Sequence, residues 1–162
     1  MIMNELVLQR LRDAFGPAIE ASSEFRGELT VVVPKERIVE VCRFLKEQPD
    51  LRFDLLSDLC GVDRYTPLQR FGVVYNLFSI RRKHRIRLKT FCEEQDPTVP
   101  SVTSVWRTAN WHERETFDMF GIQFTGHPDL RRMYMPEGFE HHPLRKDFPL
   151  MGIPGSLPLP KK

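Results

Sequence analysis

Apolar residues take helical spacing at the start of the chain. Leu6, Leu8, Leu11 and Phe15 predict a helix over 4–15, closed by Gly16-Pro17. Two short strands follow, a weaker one over 19–25 and a stronger one over 28–33, where β-branched residues dominate. Pro34 then opens a second helix to Glu47. Its stripe of Ile38, Val41, Cys42 and Leu45 recurs at three and four residues, and Pro49 ends it. Three further strands are predicted. The first runs over 53–62 and leads into a turn over 63–69; the second, over 71–80, is apolar throughout, as a central strand would be. The third, over 85–91, alternates basic and apolar residues, as a strand with one buried and one wet face does. This order predicts an α+β fold: a mixed, mostly antiparallel sheet of about five strands with two helices on one face.

After Pro97 and Pro100 the pattern changes. Val102, Val105, Trp106 and Ala109 share one face of a short helix over 101–109. Asn110, with Glu113 three residues on, has the form of a capping box for a second helix, which runs to Phe120 and stops at Gly121. A short helical pair is therefore expected, followed by an extended irregular C-terminal segment. From Gly121 to Leu150 there is almost no periodicity, yet the stretch is crowded with Phe, Met, Arg, Asp, His and Pro. Structureless loops of that length are uncommon in compact domains and are usually functional or disordered. This one is too aromatic and apolar for disorder, so it is expected to be ordered by packing on something. The expected organisation is an α+β domain over 1–109, a signature helix plus extended docking segment over 110–152, and a Pro-rich tail over 153–162.

Composition adds limits. The chain has 162 residues, enough for one domain with a core that needs no disulfide or metal staple. A net charge of +2 is too mild to imply a polyanionic partner. No window approaches the roughly 18 apolar residues of a membrane span, and the N-terminus has no apolar run of signal-peptide length. A cytoplasmic protein, or one attached to something cytoplasmic, is expected. Cys42, Cys60 and Cys92 are far apart and form no CxxC pair, so all three are read as buried small hydrophobes rather than ligands.

Several motifs invite chemistry and fail to complete it. His112-Glu113 begins a zincin-like pattern, but position 116 is Thr, so the second ligand is missing. His127-Pro128-Asp129 reads as a turn and His141-His142-Pro143 as a bend. Arg114 and Asp118 are spaced as a surface ion pair along one helix face. Glu113 shares its face with Phe117 and Phe120, so it is expected to find a cation among Arg131, Arg132 and Arg145, in a network that pins the irregular segment. Residues 81–89 hold six lysines and arginines, one histidine and no acid. That run reads as the wet face of a strand or a contact for an acidic partner, and no aromatic RNA-binding motif accompanies it. Gly-rich phosphate loops and nucleophile elbows are absent.

One resemblance emerges from these residues. Glu113-Arg114-Glu115, Asp118-Met119-Phe120-Gly121-Ile122, Gly126-His127-Pro128-Asp129-Leu130-Arg131-Arg132 and His142-Pro143-Leu144-Arg145-Lys146-Asp147-Phe148-Pro149 resemble the signature of the 30-kDa subunit family of respiratory complex I, which in bacteria is the C subunit of NADH–quinone oxidoreductase. Phe53-Asp54, Val62-Asp63, Arg70-Phe71 and Tyr75-Asn76-Leu77 extend the likeness upstream, so that it covers roughly residues 25 to 152. The resemblance implies a non-catalytic assembly subunit of the hydrophilic arm, peripheral on the cytoplasmic side of the inner membrane. It implies no catalytic, cofactor-binding or metal site on this chain, with FMN, iron–sulfur clusters and quinone on partner subunits. Those partners would be the 49-kDa-type quinone-site subunit and neighbouring iron–sulfur subunits, with no nucleic acid and no direct membrane insertion. The implied docking and structural residues are Glu113, Arg114, Glu115, Asp118, Phe120, His127, Pro128, Asp129, Arg131, Arg132, His142, Pro143, Arg145, Lys146 and Asp147. The alternative is the equivalent subunit of a related membrane-bound hydrogenase, formate hydrogenlyase, or plastoquinone- or deazaflavin-linked complex.

Overall fold

The computed structural model describes residues 3–153. Helix α1 (Met3–Phe15) leads into the hairpin β1 (Ala21–Phe25) and β2 (Glu28–Val32). Helix α2 (Ile38–Glu47) follows, and then the strands β3 (Leu55–Asp63), β4 (Phe71–Ser79) and β5 (His84–Cys92). The sheet order is β1-β2-β5-β4-β3, antiparallel except where β2 runs parallel to β5. The β1–β2 turn is Arg26-Gly27, both with positive φ, the two-residue geometry whose twist suits a hairpin.

Period-two alternation decides which face is covered. Register aligns Val31, Leu88, Tyr75 and Leu59 in one row across four strands, and Leu29, Ile86 and Leu77 in the next. These residues are buried, together with Val7 and Leu11 of α1 and Val41, Cys42 and Leu45 of α2. Both helices therefore lie on one face, and Phe15 meets Phe44 edge-on between them at 5.3 Å. Burying a large aliphatic side chain is worth about 1.5–3 kcal/mol, so this layer dominates stability. Cys42 and Cys92 are buried as expected, but Cys60 is exposed, because it sits on the uncovered face of edge strand β3.

The α+β architecture and the mixed five-stranded sheet are those the sequence predicts. Of the expected helical pair, only the second member forms. Residues 101–108 make turns, and α3 (Ala109–Phe120) begins after them. Two short strands that the sequence does not predict, β6 (Thr98–Pro100) and β7 (Gln123–Thr125), pair in parallel on either side of α3. The Ser101 N–H donates to the Thr125 carbonyl, continuing that ladder and drawing the backbone away from a helix. Val102, Val105, Trp106 and Ala109 are buried nonetheless, so the apolar spacing reports burial rather than helix. Helix α3 lies along β3, where Gly61 leaves room for Thr116 and Phe120; a Cβ there would collide with both.

Candidate functional site

The densest set of charged and polar contacts surrounds α3 and the irregular segment that follows it, a strap over residues 126–153. Asp118 is its centre. Its carboxylate is fully buried. Oδ2 accepts the backbone N–H groups of Met133, Tyr134 and Met135 at 3.0, 2.7 and 3.0 Å, and Oδ1 takes Arg132 Nη1 at 2.7 Å. Burial by itself would raise the pKa of this acid; the three amides and Arg132 outweigh it and hold the carboxyl below its usual range.

The C-terminal end of α3 supplies the second set of contacts. The last carbonyls of a helix lack intrahelical partners and carry partial negative charge. Here the strap covers three in succession. His142 Nδ1 meets the Asp118 carbonyl at 3.0 Å, the Leu144 N–H donates to Met119 at 3.1 Å, and Arg145 Nε donates to Phe120 at 2.6 Å. Gly121 ends the helix at φ +76°, and a Cβ there would run into Arg145 and His142. The expected Arg114–Asp118 ion pair does not form. Arg114 instead donates to the carbonyls of Arg131 and Arg132 at 3.0 and 3.2 Å and stacks on Trp111.

A third anchor ties the strap to the sheet. Asp63, at the end of β3, takes Arg70 Nε and Nη2 at 3.1 and 3.0 Å and the Lys146 N–H at 2.9 Å. Arg70 also reaches Glu94 at 2.5 Å and Asp147 at 2.9 Å. Arg70 and Arg145 both lie over the Phe71 ring, at 4.9 and 4.8 Å. In the sequence, Asp63 and Arg70 stand out only through the family resemblance. Their local signal is an Asp and an Arg flanking a turn, a common surface pattern with nothing to mark it as buried.

Glu113 departs from expectation. No arginine reaches it. Its carboxylate accepts the Ser101 hydroxyl at 2.6 Å and the Val102 N–H at 2.7 Å, so it caps the turn before its own helix rather than Asn110. His127 Nε2 lies 3.9 Å away, and both side chains are fully buried. His127 Nδ1 accepts the Asp129 N–H at 3.0 Å, which leaves the proton on Nε2 to be donated to the Asn110 carbonyl at 3.1 Å. Burial pushes the Glu113 pKa up to about 7, against the lowering effect of its two hydrogen bonds. The folded state therefore binds this proton more tightly than the unfolded chain. The group's contribution is most favourable below about pH 4.5 and falls by roughly 3 kcal/mol as pH rises through 7. Glu113→Gln keeps an acceptor for Val102 and a donor for Ser101 and removes that slope. The stability of E113Q relative to the parent chain should rise between pH 5 and pH 8, read as urea midpoints; a pH-independent difference would contradict the assignment.

The remaining implied residues are dispersed. Asp129 and Arg131 form an exposed pair at 2.8 Å beside Pro128. His141 meets Phe139 and Phe148 edge-on at 5.5 and 6.4 Å, so the three strap histidines face different neighbours. Glu115 is exposed and Pro143 half-buried. Trp111, Tyr134, Leu144, Leu150 and Met151 stand largely in solvent. The strap thus sets Arg132, His142 and Arg145 against its own chain, while Tyr134, Leu144, Leu150 and Met151 are exposed alongside Glu137, Glu140 and Lys146. No helix among the described residues is long and apolar enough to cross a membrane.

Residues 31–154, from the end of β2 through β3–β5, α3 and the strap, match the family described as respiratory-chain NADH dehydrogenase, 30-kDa subunit. The chain belongs to that family. Among curated relatives, it is 58% identical over 144 residues to the second C subunit of the NADH-quinone oxidoreductase of Rhizobium meliloti, covering 89% of this chain and 79% of that one. It is 58% identical over 147 residues to the NADH-quinone oxidoreductase C subunit of Roseiflexus sp., covering 91% and 84%. Among solved structures, the fold is similar to the trypsin-resistant fragment 1–134 of Nqo5, with TM-score 0.65 and 36% identity over 76% of this chain and 99% of that one. It is also similar to a chain of the membrane-bound sulfane sulfur reductase, an archaeal respiratory membrane complex, with TM-score 0.73 and 25% identity over 91% and 86%.

Proposed function

We propose that this chain is an assembly subunit of the hydrophilic arm of a proton-translocating NADH–quinone oxidoreductase. In this reading it carries no active site or cofactor of its own. FMN, iron–sulfur clusters and quinone reside on partner subunits, and the assembled complex moves electrons from NADH to quinone coupled to proton translocation. The observation that carries this reading is the extent of the family match: β3–β5, α3 and the strap are covered together, and the chain is 58% identical to a named C subunit of that enzyme. The 25% identity to the sulfur-reducing complex favours the NADH-linked reading over the related membrane complexes.

The strap's exposed apolar residues support a docking role. Pinned at three places, it presents Tyr134 and Leu144, with the exposed Trp111 on α3, without further ordering, which lowers the entropic cost of association. Its partner in this reading is the 49-kDa-type quinone-site subunit, with the chain peripheral on the cytoplasmic side of the inner membrane. A tagged copy purified from detergent-solubilised membranes should bring NADH:quinone activity and the quinone-site subunit with it. The chain purified alone should lack flavin and iron–sulfur absorbance and NADH oxidation. Activity or a bound cluster in the isolated chain would refute the reading.

A further inference from the structure

The basic run over 81–89 is used by neither the strap nor the helical layer. Its first three residues form the β4–β5 turn. Arg85, Arg87 and Lys89 then alternate along β5, and the residues between them, Ile86 and Leu88, belong to the buried face. The three cations therefore lie on the sheet face that α1 and α2 leave open. Register sets Arg85 beside Phe78 and Leu55, Arg87 beside Asn76 and Asp58, and Lys89 beside Val74 and Cys60.

These rows have different fates. Arg87 is satisfied within the chain: Nη2 donates to Glu28 at 2.7 Å and Nε to Asn76 Oδ1 at 3.1 Å. Asp58 is likewise engaged, by Asn76 Nδ2 at 3.4 Å and His112 at 3.7 Å. Arg85 stands 5.7 Å over the Phe78 ring, and neither it nor Lys89 has a carboxylate partner among the described residues. A cavity of about 400 Å³ opens beside Arg85 and Arg87, with Leu55 and Phe78 in its wall. Leu55 is exposed at its edge, and so are Val62 and Ile80 elsewhere on β3 and at the end of β4.

We propose that this open sheet face docks an extended acidic segment of a partner protein, whose carboxylates engage Arg85 and Lys89 while an apolar side chain enters the cavity between Leu55 and Phe78. Charge complementarity carries the assignment. The Arg87–Glu28 contact is the internal instance of the same recognition, and the free cations flank it on both sides. Lys89 lies four residues along the strand from Arg85, about 13 Å at the strand rise. An extended segment with acids four residues apart matches that interval and leaves the middle position neutral, opposite a guanidinium that already holds a carboxylate. A nucleic-acid strand or an anionic membrane carries closely repeated charge and would set one negative group against Glu28.

The inference rests on the chain being a subunit of a complex, and its test separates the two. The complex purified through a tag on this chain is treated with a zero-length carbodiimide, which joins amines to carboxylates, and mapped by mass spectrometry. The expected product links Lys89 to an Asp or Glu of another subunit. The variant R85E/K89E, at an exposed and a half-buried position of the open face, should show unchanged circular dichroism and at least about ten-fold less chain retained in the complex, since like charges at an interface cost several kcal/mol. A complex that forms normally while Lys89 is acetylated as fast as in the isolated chain overturns the docking face alone. Binding of the full chain to phosphatidylcholine–phosphatidylglycerol vesicles or to single-stranded DNA, lost in R85E/K89E with no inter-subunit link at Lys89, overturns it in favour of those ligands. A chain that never enters the complex overturns both readings.

Discussion

Asp118→Ala should release the strap while the sheet stays folded. The variant removes the acceptor for three backbone amides and the counter-charge of Arg132 at a position with no solvent access. Breaking a buried, hydrogen-bonded charge pair from one side costs about 3–5 kcal/mol. The loss should be local, because the five-stranded sheet and its helical layer make no contact through this carboxylate. Amide hydrogen exchange reads it directly. Protection at Met133–Met135 should collapse, and the rest of 126–149 should follow, while β4 and β5 keep theirs. Unchanged exchange at Met133–Met135 would sink the assignment. The same carboxyl gives the strap a pH limit. Its folded pKa is depressed, so its stabilisation is present above the unfolded value of about 3.9 and is lost as pH falls through the folded value. Strap protection in the parent chain should therefore fail in acid, whereas Asp118→Ala should show no such step.

Arg70→Met should destabilise the body of the protein strongly. Methionine approximates the length of the arginine stem but leaves Asp63, whose side chain is 1% exposed, as a buried anion. Burial is the largest influence on that carboxyl and pushes its pKa up; Arg70, with the amides of Lys146 and Tyr65, outweighs it and brings the net value down. Without Arg70 the balance reverses. A loss of about 3–5 kcal/mol follows from the uncompensated charge. At 2–4 °C per kcal/mol for a chain of this size, that is a fall of roughly 10 °C in Tm. The double variant Asp63→Asn/Arg70→Met should recover much of it, since no buried charge is left. If single and double variants melted together, Asp63 and Arg70 would not be coupled and the anchor would be misassigned. Because Arg70 also holds Asp147 and Asp63 holds the Lys146 amide, the single variant should loosen the C-terminal half of the strap as well.

Asp118 and Arg70 are unequally visible in the sequence. Asp118 stands out within an unbroken run of signature residues, yet its spacing points to Arg114, one helical turn away. The structure gives it Arg132 and three amides, because the strap doubles back across the end of α3. Glu113 is expected to meet an arginine and instead caps residues 101 and 102, which is why a helix foreseen from four well-spaced apolar residues is a set of turns. Spacing along the chain reports which side chains are buried together; it does not report which backbone amide a distant carboxylate will capture.

The sequence alone determined the elements whose signal is local. A continuous apolar run marks β4 and period-two alternation marks β5, helical spacing marks α1, α2 and α3, and Pro34, Pro49 and Gly121 mark ends. Those signals survive folding because apolar burial is non-directional and depends on which face a residue occupies. Only the tertiary structure decided the parallel β2–β5 junction, the cavity beside Arg85, and every polar partner that holds the strap. Hydrogen bonds and ion pairs are directional and act over about 3 Å. The contact between Lys146 and Asp63 joins residues 83 apart in the chain, and no local pattern encodes a meeting over that separation.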